Sequence, residues 1–431
     1  MEIVGVEATD LFVGTEDEPR QVVRVVLRAD GRDAATNGSS SGRLSIRGDR
    51  LPAADPIVVG PLAPGAEARL EVGVAVAADV VPGDRLASQV VVETDAGTTA
   101  RALELLVAEP GWRMFMIAHF HYDPVWWNTQ AAYTETWGET IAYRQPFQEP
   151  GLALVRAHLE TARRDPLYRF VLAELDYLKP YWDAYPEDRD YVRQLLREGR
   201  LELVGATYNE PNTNLTSAES TIRNAIYGMG YQRDVLGGDP ATAWQLDVFG
   251  HDPQFPGIMA DAGATSSSWA RGPFHEWGPH WVRGPARLPF AALAAGPAPE
   301  MQFPTEFDWV APSGRALLTS FMANHYSAGW WMDASATLEE AEAQVHALFR
   351  DLVPLATTRN VLLPVGTDYS PPNRWLTAIV RDWNGRYVWP RFLAATPREF
   401  FDAVRAERSA AGRRFPPQTR DMNPIYTGCH V

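Results

Sequence analysis

The alternation of apolar and polar positions changes its rhythm near residue 110. Before that point, apolar runs such as Gln21-Val22-Val23-Arg24-Val25-Val26-Leu27 and Ser88-Gln89-Val90-Val91-Val92-Glu93 stand between turn-forming stretches, Asn37-Gly38-Ser39-Ser40-Ser41-Gly42 and Asp95-Ala96-Gly97. Short strands punctuated in this way predict a small antiparallel sandwich over residues 1–109.

After Pro110-Gly111-Trp112 strand-like runs alternate with helical ones. The run Met116-Ile117-Ala118 opens the series, and Tyr168–Glu174, Leu201–Gly205, Ala243–Asp247 and Asn360–Gly366 read as further strands. Between them a helix is predicted over Glu187–Glu198, stopped by Gly199. Thr216-x-x-Glu219, Thr337-x-x-Glu340 and Thr396-Pro397-x-Glu399 are capping boxes that open helices toward Leu236, over Leu338–Leu355, and near the carboxyl end. Alternating βα units over residues 112–407 predict an α/β fold with a parallel sheet closed or nearly closed into a barrel. In such a sheet the functional groups gather at the carboxyl ends of the strands. Residues 272–306, with four Gly-Pro pairs, predict a long loop.

Composition sharpens the division. The first 109 residues hold no Trp, Tyr or His and a single aromatic ring, Phe12, so they are poorly equipped for catalysis and read as an accessory module. All 15 tryptophans and all nine histidines follow. A formal charge of −15 argues against a nucleic-acid partner. Neither a secretory leader nor an apolar run of spanning length is present, so the expectation is no membrane association and a cytoplasmic location. Cys429 is the only cysteine, which excludes an internal disulfide and leaves any metal to His, Asp or Glu.

The candidate chemistry lies at predicted strand ends. In His119-Phe120-His121-Tyr122-Asp123-Pro124-Val125-Trp126-Trp127 an apolar strand ends in groups that share one face, and His-x-Asp is a plausible start to a metal site. Histidines packed in the core with Pro124 ending the strand are the plain alternative. Asp247 and Asp368 each stand where a turn leaves a strand, a position that capping aspartates also fill. Two carboxylates across a sugar-sized gap are the equipment of retaining glycoside hydrolysis. Trp126, Trp127, Trp330 and Trp331 offer flat faces to a sugar ring, though such rings equally serve as core filler.

Residues 112 to about 428 resemble the amino-terminal catalytic domain of glycoside hydrolase family 38, the zinc-dependent retaining α-mannosidases. The resemblance rests on His119-x-His121-x-Asp123-Pro124-x-Trp126, Gly205-Ala206-Thr207-Tyr208-x-Glu210-Pro211, Trp244-x-x-Asp247-x-Phe249-Gly250-His251 and Pro364-Val365-Gly366-Thr367-Asp368-Tyr369, in that order. It implies a (β/α)7-type barrel and Zn2+ held by His121, Asp123 and Asp247. It further implies Asp247 as nucleophile and Asp368 as acid/base, with Trp126, Arg271, His251 and Tyr326 against substrate. An α-mannoside oligosaccharide or glycan fragment is the expected substrate.

Two departures accompany it. Thr367 stands where the family often has a first acidic residue. Family members also continue beyond the stretch resembling Tyr426-Thr427-Gly428 into a helical domain that supplies a fourth zinc ligand, a histidine. Residues 408–431 are therefore expected to begin that domain, the chain reads as truncated, and His251, His325 and His430 are poor substitutes for the missing ligand. An open site and exposed rim are expected to weaken zinc binding and favour association into homo-oligomers. The rival readings are a non-catalytic or vestigial carbohydrate-binding protein and a metal-dependent polysaccharide deacetylase.

Overall fold

The computed structural model describes residues 1–29, 40–126, 129–134, 151–272 and 303–423. The chain forms two compact units, Met1–Arg113 with Asp382–Arg391, and Met114–Arg381 with Phe392–Val431.

The first unit is built from β1 (Glu2–Gly14), β2 (Pro19–Arg28), β3 (Ser40–Gly48), β4 (Ile57–Leu62), β5 (Glu67–Val74), β6 (Arg85–Thr94) and β7 (Gly97–Leu106). They pair antiparallel in a three-stranded sheet, β1-β2-β5, and a four-stranded sheet, β4-β3-β6-β7. Both sheets feed one core: Val23, Val25 and Leu27 of β2 meet Leu44 of β3, Val90 and Val92 of β6 and Leu105 of β7. Period-two alternation produces this, since successive side chains point to opposite faces. The segment from Asp382 joins the same unit through backbone bonds, Phe12 N–H to Trp389 O at 2.8 Å and Val388 N–H to Phe12 O at 2.8 Å. The Tyr387 hydroxyl donates to Glu71 Oε1 at 2.7 Å.

The second unit runs β8 (Arg113–Ala118), α1 (Gln130–Thr134), α2 (Gly151–Arg164), β9 (Phe170–Leu172), α3 (Leu175–Ala184), α4 (Arg189–Arg197), β10 (Leu201–Leu203) and α5 (Ala218–Gly230). It continues through β11 (Thr242–Gln245), α6 (Phe255–Ala262), β12 (Ser266–Trp269), β13 (Glu306–Val310), β14 (Ala316–Phe321), α7 (Leu338–Leu352) and β15 (Asn360–Val365). Last come α8 (Leu376–Arg386), whose residues from Asp382 onward belong to the first unit, β16 (Arg391–Ala394), α9 (Pro397–Ala410) and β17 (Pro417–Gln418). A fold of mixed α/β type is present, but among the described residues no closed barrel is seen. The strands form two five-stranded sheets, one ordered β10-β9-β8-β15 with β16 on β8, the other β11-β12-β14-β13-β17. Nor is the pairing wholly parallel. A turn in which Gly314, at φ +82°, donates to Ala311 O sends β14 back antiparallel to β13. Single backbone bonds run from one sheet to the other, Gly205 N–H to Thr242 O at 2.9 Å and Gly329 N–H to Pro364 O at 3.0 Å. Phe115, Ile117, Val171 and Val204 of the first sheet's segments share a core with Trp244, Leu246 and Leu318 of the second's.

The capping boxes at Thr337 and Thr396 form as the spacing predicts, each threonine exchanging bonds with the glutamate three residues on. At the third, Ser217 is the N-cap instead and accepts from Ser220 N–H, while Thr216 bonds the Thr221 hydroxyl at 2.8 Å and Glu219 pairs with Arg223. Over 187–198 a 3₁₀ turn, Pro186–Asp188, precedes α4, and Gly199 at φ +66° ends the run. Most of the predicted loop 272–306, Trp127, and the stretch from 424 that includes His430 lie outside the described residues. No described helix is long and apolar enough to cross a membrane.

Candidate active site

Each candidate side chain follows a strand. His121 comes after β8, Glu210 after β10, Asp247 after β11, Arg271 after β12, Tyr326 after β14 and Asp368 after β15. The sheet order brings β8 beside β15, and His121 and Asp368 form a parallel bridge. In it the His121 N–H donates to Thr367 O at 3.1 Å and the Tyr369 N–H to His121 O at 2.9 Å. Gly366 makes this approach feasible, because a Cβ there would fall 1.9 Å from His119 O. Ala206 at φ +57°, His325 at +74° and Tyr369 at +48° take left-handed backbone, each just past a strand. Such strain persists only where the surroundings enforce it.

His121 sits at the centre and is buried. Its Nε2 lies 3.1 Å from Asp123 Oδ1 and 3.9 Å from Asp247 Oδ2, and its Nδ1 lies 3.4 Å from Glu210 Oε2. Burial alone would disfavour its charged form, but Asp123 and Glu210 together outweigh that and hold the imidazole well above its ordinary range. Burial works to raise Asp123, and His121 overcomes it, so that this carboxyl lies below its usual range. Arg271 Nε donates to Asp247 Oδ1, and its guanidinium also lies over the Phe249 ring, 4.6 Å from the centroid.

Asp368 faces the same space. The Tyr326 hydroxyl donates to Asp368 Oδ1 at 2.8 Å. Burial pushes the Asp368 carboxyl up to about 6, with His121 and Tyr326 opposing and Asp247 adding to the rise. Tyr326 also feels the charges of Asp247 and Arg271, so these groups border one region.

Beneath them lie groups that the motifs do not assign. Glu210 Oε1 accepts the Asp247 N–H at 2.9 Å, so one buried carboxylate touches both His121 and the backbone of Asp247. Glu174, at the start of α3, accepts the Glu210 N–H at 2.8 Å, and burial with the neighbouring Glu210 pushes it up to about 8. His119 turns inward, and its Nε2 donates to Tyr326 O at 2.9 Å; burial lowers it to about 4. For Glu210 the sequence signal was its place in Tyr-x-Glu-Pro after a strand, equivalent to that of Asp247. Glu174 carries none that separates it from core residues, and His119, though it opens the first motif, carries none for its inward bond to Tyr326.

The sequence model for the glycosyl hydrolases family 38 N-terminal domain matches residues 111–428. The chain belongs to glycosyl hydrolase family 38. Among the curated relatives, a Halalkalibacterium halodurans protein provisionally named mannosylglycerate hydrolase is 26% identical over 280 residues, 62% of this chain and 27% of its own. Alpha-mannosidase 2 of Homo sapiens is 25% identical over 175 residues, 39% of this chain and 14% of its own. An alpha-mannosidase structure from Enterococcus faecalis V583 shares the fold over 72% of this chain and 31% of its own, with TM-score 0.54 and 21% identity. The chain thus spans less than a third of the length of these family 38 relatives.

The remaining candidate substrate residues of this family 38 chain divide. Trp126 is 56% exposed, whereas His251 is buried. His251 Nε2 donates to Arg271 O at 2.5 Å and its ring lies 5.1 Å from that of Trp269, so it fixes the backbone that carries Arg271. His325 stacks on Tyr326 with centroids 4.1 Å apart.

The donors around His121 fit the metal that family 38 implies. Two donors held about 2.0–2.2 Å from one ion stand no more than about 4.4 Å apart, and imidazole with carboxylate oxygens is an ordinary zinc set. The separations of 3.1 and 3.9 Å from His121 Nε2 lie inside that limit. Among the described residues no three such side chains meet as a ready-made metal cluster, so the fit is pairwise, through His121. The local charge points the same way. The carboxyl groups of Asp123, Glu210, Asp247 and Asp368 outnumber the one imidazole and one guanidinium among them, an oxygen-rich donor set that suits a cation.

Proposed function

We propose that this chain carries the catalytic site of a retaining α-mannosidase, acting on terminal α-mannosides of an oligosaccharide or glycan fragment. The observation that carries this reading is that Asp247 and Asp368, at the ends of strands in different sheets, border one region through Tyr326 and Arg271. Their environments divide the labour. Asp247, paired with Arg271, is the nucleophile, attacking the anomeric carbon to give a mannosyl ester. Asp368, kept protonated up to about pH 6, gives its proton to the departing oxygen. In the second half Asp368 takes a proton from water, which attacks the same carbon and frees Asp247.

His121, Asp123 and Asp247 would hold Zn2+, which when bound supplies a template for sugar hydroxyls and Lewis-acid stabilisation. Glu210 positions His121 and the Asp247 backbone, while Tyr326 orients the Asp368 carboxyl. Trp126 offers an exposed apolar face to the ring. The same reading takes the two sheets as halves of a (β/α)7-type barrel, supported by the single bonds between them, and the protein as cytoplasmic, supported by its lone cysteine.

The test is hydrolysis of an aryl α-mannoside by this chain with zinc, the first-formed anomer being followed by proton NMR. The α anomer of mannose is expected first, and Asp247→Asn should abolish turnover. Initial release of the β anomer, or undiminished turnover in the variant, would overturn the mechanism.

A further inference from the structure

A cavity of about 550 Å³ opens between α3 and α5, with Tyr208, Tyr227 and Tyr231 among its walls and Lys179 and Asn224 beside them. Its size lies in the range of small-ligand sites. Lys179 Nζ donates to Asp183 Oδ2 at 3.1 Å, and both Tyr208 and Tyr231 interact electrostatically with the ammonium. Tyr231 in turn feels Asp183 and Tyr208, so the two phenols and the ion pair lie near one another at the cavity. Tyr227 is 60% exposed and leaves the cavity open to solvent.

The chemistry selects an occupant. Lys179 is balanced by Asp183, and Arg223 on the rim is balanced by Glu219 at 2.7 Å, so no net charge calls for an anion or a cation. Aromatic rings with hydroxyl, amide and ammonium groups suit a neutral ring that has apolar C–H faces and hydroxyls around its edge. We propose that this cavity is a second, non-catalytic saccharide site, taking a neutral hexose unit against Tyr208, Tyr227 and Tyr231. The choice of mannose as its probe rests on the proposed function; the site itself rests on the cavity.

The cavity is also tied to the candidate active site. Asn224 Oδ1 accepts the Tyr208 N–H at 2.8 Å and the Asn209 N–H at 3.1 Å, and its Nδ2 donates to Asn209 O at 2.8 Å. The next residue is Glu210. A sugar held on Tyr208 and Tyr231 therefore rests on the strap that carries Glu210 to His121.

The experiment titrates methyl α-mannoside into the full chain labelled with 3-fluorotyrosine, in the Asp247→Asn background so that no substrate is consumed. Fluorine resonances are assigned with Tyr227→Phe and Tyr231→Phe. The Tyr227 and Tyr231 signals should shift saturably, and Tyr227→Ala, at an exposed position, should weaken the affinity read from Tyr231 by at least about tenfold. Absence of any saturable shift at these two rings, or an affinity untouched by Tyr227→Ala, overturns the site. Failure of aryl mannoside turnover with saturable shifts at Tyr227 and Tyr231 would remove the proposed function and leave the cavity assignment standing.

Discussion

Glu202 offers a quantitative check on the second unit. It lies in β10, buried, with the Arg398 N–H donating to Oε2 at 2.9 Å and no described partner for Oε1. Burial pushes its carboxyl from 4.5 up to about 7, opposed by Arg398 and Thr396 and assisted by Glu399. The fold therefore binds this proton more tightly than the unfolded chain does. Stability from this group is fully present below pH 4.5, falls as pH rises from there to about 7, and is constant above. At pH 5.5 the loss corresponds to a pKa difference of about one, and at pH 8.5 to the whole difference of about 2.5. At about 1.4 kcal/mol each, the change between these pH values is about 2 kcal/mol. Glu202→Gln removes the titration but keeps an oxygen for the Arg398 N–H. Whatever the substitution costs in packing is the same at both pH values, so the difference isolates the charge. Urea unfolding followed by tryptophan fluorescence, on variant and parent at pH 5.5 and 8.5, should show the stability gap moving in the variant's favour by about 2 kcal/mol. A gap that is equal at the two pH values would mean that Glu202 titrates normally and that its burial carries no electrostatic penalty.

Three further outcomes are expected. Hydrolysis of unactivated mannosides should fall above pH about 6 as Asp368 loses its proton, and Asp368→Asn should remove that dependence while sparing activated aryl mannosides; equal losses on both substrate types would take Asp368 out of the acid role. Glu210→Gln turns an acceptor beside His121 Nδ1 into a donor and so favours the other tautomer. Zinc affinity by calorimetry should drop by about 10–100-fold with a matching change in the imidazole nitrogen shifts, and unchanged affinity would reduce Glu210 to a structural group. Gly366→Ala places a Cβ against the His119 carbonyl and should destabilise the chain by about 3 kcal/mol in the same urea assay; a neutral effect would show that β8 and β15 approach less closely than described.

Much of the site was legible because the residues that carry it sit at abrupt boundaries. Apolar strands end in His-x-Asp, in Leu-Asp and in Gly-Thr-Asp, and a largely apolar run that stops at a charged residue is visible without a structure. The supporting groups were less visible for a physical reason. Glu174, Glu210 and His119 act from below, where a buried polar residue differs from core filler only in the partners that the fold brings to it. The β12 strand shows the same limit. Ser266-Ser267-Ser268 has no apolar rhythm, yet it is wholly buried, with Ser268 Oγ donating to Ser320 O at 2.8 Å and Ser266 bonded to Thr242. Small hydroxyl side chains fill tight space between neighbouring strands, and their suitability emerges only from those neighbours. The departure from wholly parallel pairing has a similar origin, because the tight turn at Gly314 sets β13 and β14 antiparallel.

The inclusion of Asp382–Arg391 in the first unit bears on how such a module can be gained or lost. A domain appended as a bead on a string can be exchanged by a single cut in a linker. Here the sandwich borrows a segment from nearly three hundred residues downstream, with Trp389 and Val388 bonded to Phe12 and Tyr387 bonded to Glu71. Deleting the amino-terminal strands would strip partners from that segment, and grafting the strands onto another α/β unit would fail unless the segment travelled with them. The inheritable unit is therefore discontinuous in the gene although it is continuous in space, so recombination at the visible composition boundary near residue 110 would separate parts that fold together.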